Sequence, residues 1–243
     1  MARLHVGVHA LQGDIKKYKD QLDLVEIRPI DTSLPGAPGL RKWRKTAPPA
    51  FVFSVVLPRV VAELVPGKEL DDALATSLEV ATTLEARCIV LSTSTEIRPT
   101  AANRKRIAAL FERIPAEGAL RFWEPRGMWE REDVIDTARA AGVLPVFDAA
   151  RDDLPRGSVV YTRLRSLGAQ AMLSAAALDR VAKRLGERRD IFLVVEGTRA
   201  AAIRAKTTLV AALARAGRAP EAGSIAAPVA PIVRPLIAED EEQ

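Results

Sequence analysis

Short runs of apolar residues alternate along this chain with longer amphipathic segments, and the unit repeats eight times. Runs such as 51–57 are almost continuously apolar, which is typical of strands covered on both faces. Between the runs, apolar residues recur at helical spacing, as at Ile107, Leu110 and Phe111. Eight alternating strands and helices predict an α/β fold, a (β/α)8 TIM-type barrel. The predicted strands are 4–8, 23–28, 51–57, 87–92, 120–124, 143–147, 158–163 and 190–196.

The crossover after the second strand departs from this regularity. Residues 32–39 are too rich in proline and glycine to predict a long helix, and only 40–45 is predicted to form a short one before Pro48. An irregular barrel is therefore expected.

Length and composition favour one domain followed by a tail. The 243 residues suit a single barrel, and we predict a barrel over 1–217. Residues 218–243 are rich in proline and alanine, have a net charge of −3 and are predicted to be disordered, which leaves +8 on the rest. No signal-peptide pattern or membrane-spanning apolar run is present, and Cys88 is the only cysteine. A cytoplasmic protein without a membrane partner is expected.

Charged residues stand at or just beyond the ends of most predicted strands. The carboxyl ends of barrel strands converge on one opening, where active sites of this fold lie. These residues are therefore the candidates for a site: Glu26, Arg59, Glu124, Arg126, Asp148, Arg163 and Glu196.

Two interpretations of this charge remain open. Arg59, Arg126 and Arg163 could form an anion clamp, with Asp148 and Glu196 beside them as further ligand-binding groups. Glu26 and Glu124 would then be catalytic candidates, as a general base or as acceptors for substrate hydroxyls. Alternatively, the same charges could form a salt-bridge lattice that closes the barrel without any function.

A metal site is a weaker alternative. Four carboxylates, Glu26, Glu124, Asp148 and Glu196, could hold Mg²⁺ or Mn²⁺, but the arginines compete for the same oxygens. His5 and His9 are the only histidines, which excludes a histidine-rich zinc site. We therefore expect no cofactor.

Two basic clusters raise the possibility of a nucleic-acid partner. They lie at 16–19 and at 41–45, where Trp43 could stack on a base. However, Leu40, Trp43 and Ala47 would form the apolar stripe of a short helix, with the basic residues as its solvated face.

Several segments together resemble the YecE-like family, a group of uncharacterised barrel proteins defined by a domain of unknown function. The similarity covers roughly residues 4–215, and the segments that carry it are Gly7, Val25-Glu26-Ile27, Leu34-Pro35, Trp43, Pro49, 51–59, Leu120–Arg126, Trp129, Asp148 and Tyr161–Leu164. The resemblance implies a TIM-type barrel and leaves the activity undefined.

The chain also departs from the pattern of that family. Its Thr-Ser-Gly-Trp after the first strand corresponds here to 8–11, which contains His9, and its asparagine after the second strand corresponds to Arg28. Its strand-three lysine is Val56 here, and its final Phe-Asn-Asn corresponds to 195–197. Most amide and aromatic groups that the family has at the carboxyl ends of its strands are replaced in this chain, whereas the acids and arginines are kept. We therefore expect a divergent member that binds a small phosphate- or carboxylate-bearing metabolite with little or no catalysis. A hydrolase or isomerase is the alternative, and a nucleic-acid-associated protein the second alternative.

Overall fold

The computed structural model describes residues 3–165 and 174–217, and within these ranges it contains eight strands and eight helices. The predicted tail, 218–243, lies outside the described residues. The strands are β1 (Arg3–Val8), β2 (Leu24–Ile27), β3 (Val52–Val56), β4 (Cys88–Ser92), β5 (Leu120–Glu124), β6 (Leu144–Pro145), β7 (Val159–Arg165) and β8 (Asp190–Glu196). The helices are α1 (Ile15–Tyr18), α2 (Ala37–Thr46), α3 (Arg59–Ala62), α4 (Lys68–Thr83), α5 (Ala101–Glu112), α6 (Arg131–Ala140), α7 (Ala175–Leu185) and α8 (Arg199–Arg215).

All strand pairs are parallel, and β1 lies between β2 and β8 in the order β6-β5-β4-β3-β2-β1-β8-β7. A single bridge between Phe147 and Thr162 joins the two ends of this sheet, at a place that we call the seam. The Thr162 hydroxyl strengthens the seam, because it donates to the Phe147 carbonyl at 2.8 Å and accepts from the Ala149 amide at 2.9 Å. The predicted (β/α)8 barrel is confirmed, and it is nearly closed.

Alternate residues of each strand face the barrel interior, as the two-residue period of a strand requires. The interior core contains Phe122, Tyr161 and Phe192, whose rings contact one another at centroid distances of 4.9 to 6.3 Å. The intervening residues pack outward against the helices in a separate and larger core. The interior is therefore filled by side chains, and any ligand has to bind above this aromatic layer.

Strand β1 reaches this packing only because residue 7 is glycine. A Cβ atom on Gly7 would lie 1.8 Å from the carbonyl oxygen of Leu24 on β2, so any larger residue would force the two strands apart. The first residue of the family resemblance thus has a steric role in the barrel.

The prediction of a short helix over 40–45 was wrong in extent. Helix α2 begins three residues earlier, at Ala37, with Pro38 in its first turn and Gly36 as its N-cap. Proline is compatible with a first turn because the amide that it lacks has no partner inside the helix there. None of the helices in the described ranges is long and apolar enough to cross a membrane.

Candidate ligand-binding site

The carboxyl ends of the strands bring the predicted charged residues to one end of the barrel. Glu26, Glu124, Arg163 and Glu196 share the interior-facing register of their strands, so their side chains approach one another there. We call this end the mouth, and it has a buried layer and an open rim.

Arg163 and Glu26 are the centre of the buried layer, where the Arg163 side chain is 1% exposed. Its two terminal nitrogens each donate to a different oxygen of Glu26 at 2.7 Å, which is the strong two-pronged form of this pair. The Tyr161 hydroxyl donates to Glu26 at 2.6 Å and lies 3.0 Å from the Ser54 hydroxyl. Arg28 adds a longer contact to Glu26, of 3.3 Å. Both oxygens of Glu26 are therefore occupied within the protein.

Glu124 lies one step nearer to solvent and is almost completely buried. Its Oε2 is 3.1 Å from Nε of Arg163, and its Oε1 accepts from Arg165 at 3.1 Å. Burial by itself raises the pKa of Glu124, but Arg163, Arg126, the Ser92 hydroxyl and Arg165 together lower it below its ordinary value. Glu124 is consequently an ionised acceptor at neutral pH.

Glu196, at the end of β8, completes the ion-pair network of the mouth. It lies 3.6 Å from Nε of Arg163 and 4.0 Å from Nε of Arg165. Arg163 is thus held by three carboxylates, and Glu26 and Glu124 raise its pKa further against the effect of burial. Its guanidinium is permanently charged.

Arg126 and Arg59 lie apart from this layer, on the rim around a cavity of about 600 Å³ that we call the larger cavity. Its polar lining comes from the end of β4, from the start of α3 and from the segments that follow β2, α3, β4 and β5. It consists of Arg28, Asp31, Arg59, Glu63, Ser92, Ser94, Thr95, Glu96 and Arg126. The Arg126 Nε donates to the Ser92 hydroxyl at 3.0 Å. Arg59 begins α3, and its side chain is 85% exposed and paired with Glu63.

Gly127 permits the close approach of the loops that hold Arg126 and Thr95. It has φ of 98°, and a Cβ atom there would lie 2.7 Å from the Thr95 carbonyl oxygen. A larger residue would therefore separate the two loops and move Arg126 away from Ser92.

Asp148 lies in the smaller cavity, of about 290 Å³, beside the seam. Its oxygens accept from the amides of Ala150 at 2.9 Å and Arg165 at 3.4 Å. Burial raises the pKa of Asp148 in spite of these hydrogen bonds and of Arg151 nearby. The residues that line this cavity are Glu124, Pro125, Gly127, Trp129, Arg131, Val134, Val146, Phe147, Asp148, Arg151, Asp152, Arg163 and Arg165.

The structure does not assemble the predicted clamp of Arg59, Arg126 and Arg163. Arg163 is committed to Glu26, whereas Arg59 projects into solvent because it lies in a helix beyond the end of β3. Glu26 is also a poor catalytic candidate, since its carboxylate is sealed below Arg163 and anchors it. The buried layer is a network of salt bridges, as the second interpretation predicts. The rim carries the more exposed arginines, Arg59 and Arg126.

Several residues of the mouth were missed by sequence reasoning. Tyr161 and Arg165 share the interior-facing register of Arg163 on β7, so strand alternation alone could have identified them. Ser54 on β3 has the same signal, because its neighbour in the sheet is Glu26. Arg131 and Arg151 lie in loops and helix starts, where no periodicity marks them.

No group of three or more histidine, cysteine, aspartate or glutamate side chains is arranged to hold a metal ion in the part of the chain that the structure describes. The carboxylates considered for Mg²⁺ are drawn instead to arginines. Trp123 is fully buried and donates to Thr93, while Trp129 packs edge-on against it and donates to the Ile97 carbonyl. Trp123 is therefore out of reach of any ligand.

The basic cluster at 41–45 lies on helix α2, and its basic residues surround the apolar stripe as the helical interpretation predicts. Leu40 and Ala47 are buried, and Arg44 donates to the carbonyls of Phe51, Ala47 and Pro48. The remaining basic residues of α2 are its solvated face.

The fold and the charged mouth define a TIM-type barrel protein, and comparison with solved structures agrees. A DUF72 family protein from Enterococcus faecalis V583 superposes with a TM-score of 0.67 at 13% identity, covering 88% of this chain and 98% of that one. A DUF72 family protein from Thermotoga maritima MSB8 gives 0.64 at 14% identity, covering 85% and 99%.

D-psicose 3-epimerase from Clostridium cellulolyticum H10 gives a TM-score of 0.53 at 11% identity, covering 90% and 100% of the two chains. At these identities the likeness shows the fold. DUF72 is the designation of the YecE family. No family model matches the chain, and no curated protein matches it.

Proposed function

We propose that this chain is a divergent YecE-like barrel that binds a small anionic metabolite in the larger cavity of its mouth. Support for the family comes from the segments between Gly7 and Leu164 that resemble it, together with the DUF72 proteins among its structural neighbours. Support for the ligand comes from the chemistry of the rim.

The observation that carries the proposal is the state of Arg126. Within the described ranges, the only hydrogen bond of its guanidinium is from Nε to Ser92, so both terminal nitrogens of this cavity-lining arginine are without a hydrogen-bond partner there. Arg28 and Arg59 line the same space. Guanidinium groups bind phosphate or carboxylate oxygens in a two-pronged way, and they keep their charge when partly buried.

The remaining lining specifies a polar ligand. The side chains of Ser92, Ser94 and Thr95 line the cavity beside Arg126, and hydroxyl groups both donate and accept. Asp31, Glu63 and Glu96 lie on the same rim and disfavour a highly charged polyanion. A single phosphate or carboxylate on a hydroxylated carbon skeleton fits this lining best.

Titration calorimetry with glucose 6-phosphate, and with glucose as the uncharged control, tests the proposal. We expect binding of the phosphate ester and none of glucose. Replacing Arg126 by Gln should weaken binding about tenfold to a hundredfold, because a hydrogen bond to a charged group contributes about 1.5–3 kcal/mol.

Arg139→Gln is the matched control, since Arg139 is an exposed arginine of α6 that is paired with Asp136 and lies outside both cavities. It should leave affinity unchanged. Equal binding by wild type and Arg126→Gln, or no binding of glucose 6-phosphate at millimolar concentration, would overturn the proposal.

Catalysis by a hydrolase or isomerase mechanism stays a second candidate because of one observation in the smaller cavity. Glu124 and Asp148 line it together, with the pKa of Glu124 lowered chiefly by Arg163 against the effect of burial, and that of Asp148 raised by burial. Carboxylates with pKa values moved apart are suited to acid–base roles. In this second candidate function the catalytic pair is Glu124 and Asp148, in place of the predicted pair Glu26 and Glu124. Turnover of a sugar or sugar phosphate that Asp148→Asn abolishes would support it.

A further inference from the structure

We propose that the smaller cavity is a second binding site, independent of the anion site, for a small polyhydroxylated carboxylic acid. Its hydroxyl groups would donate to Glu124, and its carboxylate would pair with Arg151 and Arg131. The argument rests on the open hydrogen-bonding groups of this cavity, on its walls and on its size.

Glu124 supplies a buried acceptor oxygen that lacks a hydrogen bond. Its Oε1 accepts from Arg165, but its Oε2 is buried and has no hydrogen-bond partner among the residues that the structure describes. Nε of Arg163 lies 3.1 Å from this oxygen, in a geometry that makes an ion pair without a hydrogen bond. A buried carboxylate oxygen of this kind is stabilised by a donor, and a ligand hydroxyl in the cavity supplies one.

Arg151 and Arg131 supply open donors on the same cavity. Within the described part of the chain, Arg151 has a single ion pair, from Nε to Asp148 at 3.7 Å, and its side chain is 46% exposed. Arg131 donates through one terminal nitrogen to the Asp153 carbonyl, and its guanidinium lies over the Phe147 ring. Asp148 is itself fixed by two backbone amides, so it positions Arg151 at the edge of the cavity.

The walls between these groups are apolar. Trp129, Val134, Val146 and Phe147 line the cavity, and they offer surface to the C–H groups of a carbon chain. A volume of about 290 Å³ holds roughly ten water molecules, which corresponds to an acid of four to six carbons. A plain fatty acid would leave Oε2 of Glu124 without a donor, and a neutral sugar would bring no carboxylate to the two arginines.

Calorimetry with three six-carbon compounds tests this chemistry: gluconate has both groups, glucose has hydroxyls without a carboxylate, and hexanoate has a carboxylate without hydroxyls. We expect gluconate to bind at least tenfold more tightly than either control. Arg151→Gln should weaken gluconate binding about tenfold or more, because a charge-assisted hydrogen bond is lost. Its exposed position and single long ion pair make this variant safe for folding.

Arg126→Gln is the control that separates the two sites, because Arg126 lines only the larger cavity. Gluconate binding at a site that is lost in Arg151→Gln and persists in Arg126→Gln supports the second site, and a further binding event that responds to Arg126→Gln belongs to the anion site. Binding that responds to Arg126→Gln alone overturns it and assigns gluconate to the anion site. Equal affinity for gluconate and hexanoate, or no gluconate binding at millimolar concentration, also overturns it. Because glucose 6-phosphate is tested separately, failure here leaves the proposed function intact.

Discussion

At the mouth end of the barrel interior, Arg163 and Glu26 are buried as an ion pair, whereas at the opposite end His5 is buried without a hydrogen bond to its Nε2. The Arg163–Glu26 pair has two hydrogen bonds of 2.7 Å between its members, and the Tyr161 hydroxyl also donates to Glu26. His5 is stacked on Phe192, and burial together with Arg87 lowers the pKa of His5 to about 4. Between the two ends lies the aromatic layer of the interior core.

The difference shows two ways of burying a polar group. A buried group keeps its charge when a group of opposite charge pairs with it, and removing either partner is then strongly destabilising. A group that can lose its proton remains neutral instead, at the cost of sensitivity to acid. The mouth, with Arg163 and Glu26, shows the first way, and the end of the barrel that holds His5 shows the second.

Replacing Arg163 by Met should cause the largest loss of stability. It leaves Glu26 buried without its main partner, and breaking a buried pair in this way costs about 3–5 kcal/mol. Urea unfolding of both proteins measures the difference. Arg59→Met is the matched control, because Arg59 is exposed and its ion pair with Glu63 is a surface pair, so its effect should stay within about 0.5 kcal/mol. Similar losses in the two variants would remove the distinction between the buried layer and the rim.

Replacing His5 by Phe should have a smaller effect that depends on pH. The pKa of His5 is about 4 in the folded protein and near its ordinary value of 6.5 in the unfolded chain. Between these values only the unfolded chain binds the proton, so stability falls as the pH falls from 6.5 to 4. The variant lacks this loss and keeps the ring that stacks on Phe192.

Relative to wild type, His5→Phe should therefore gain about 2 kcal/mol of stability on going from pH 7.5 to pH 5. Urea unfolding at the two pH values measures this change. A difference between variant and wild type that is the same at both pH values would mean that His5 is not held neutral by burial.

Replacing Tyr161 by Phe should have the smallest effect of the three on the buried polar groups. It removes the hydrogen bonds to Glu26 and Ser54 but keeps the Arg163–Glu26 pair, so a loss of about 1–1.5 kcal/mol is expected in urea unfolding. Ser54→Ala is the comparison variant, because Tyr161 then still donates to Glu26. It should cost less than Tyr161→Phe, and the reverse order would show that Glu26 does not depend on the tyrosine.

The strands were predictable from sequence because continuous apolar runs have few alternatives in a chain of this length. The Arg163–Glu26 pair was also predictable, since both residues face the barrel interior by strand alternation. The position of Arg59 was not predictable, because it depends on where β3 ends and on the direction in which the first turn of α3 points the side chain. The division of the mouth into two cavities depends on Gly127 and Thr95, which meet across two loops, and no periodicity encodes that contact.

The placement of β1 between β2 and β8 also governs how the chain is assembled as it is synthesised. Arg3 and Asp190 are neighbours in the sheet although 187 positions separate them. One edge of β1 therefore stays unpaired until β8 has been synthesised. During translation that edge presents unpaired amides and carbonyls, which can recruit a strand from another chain. The barrel therefore closes only after nearly all of its residues have left the ribosome, and that interval is when wrong pairing and aggregation compete most strongly with folding.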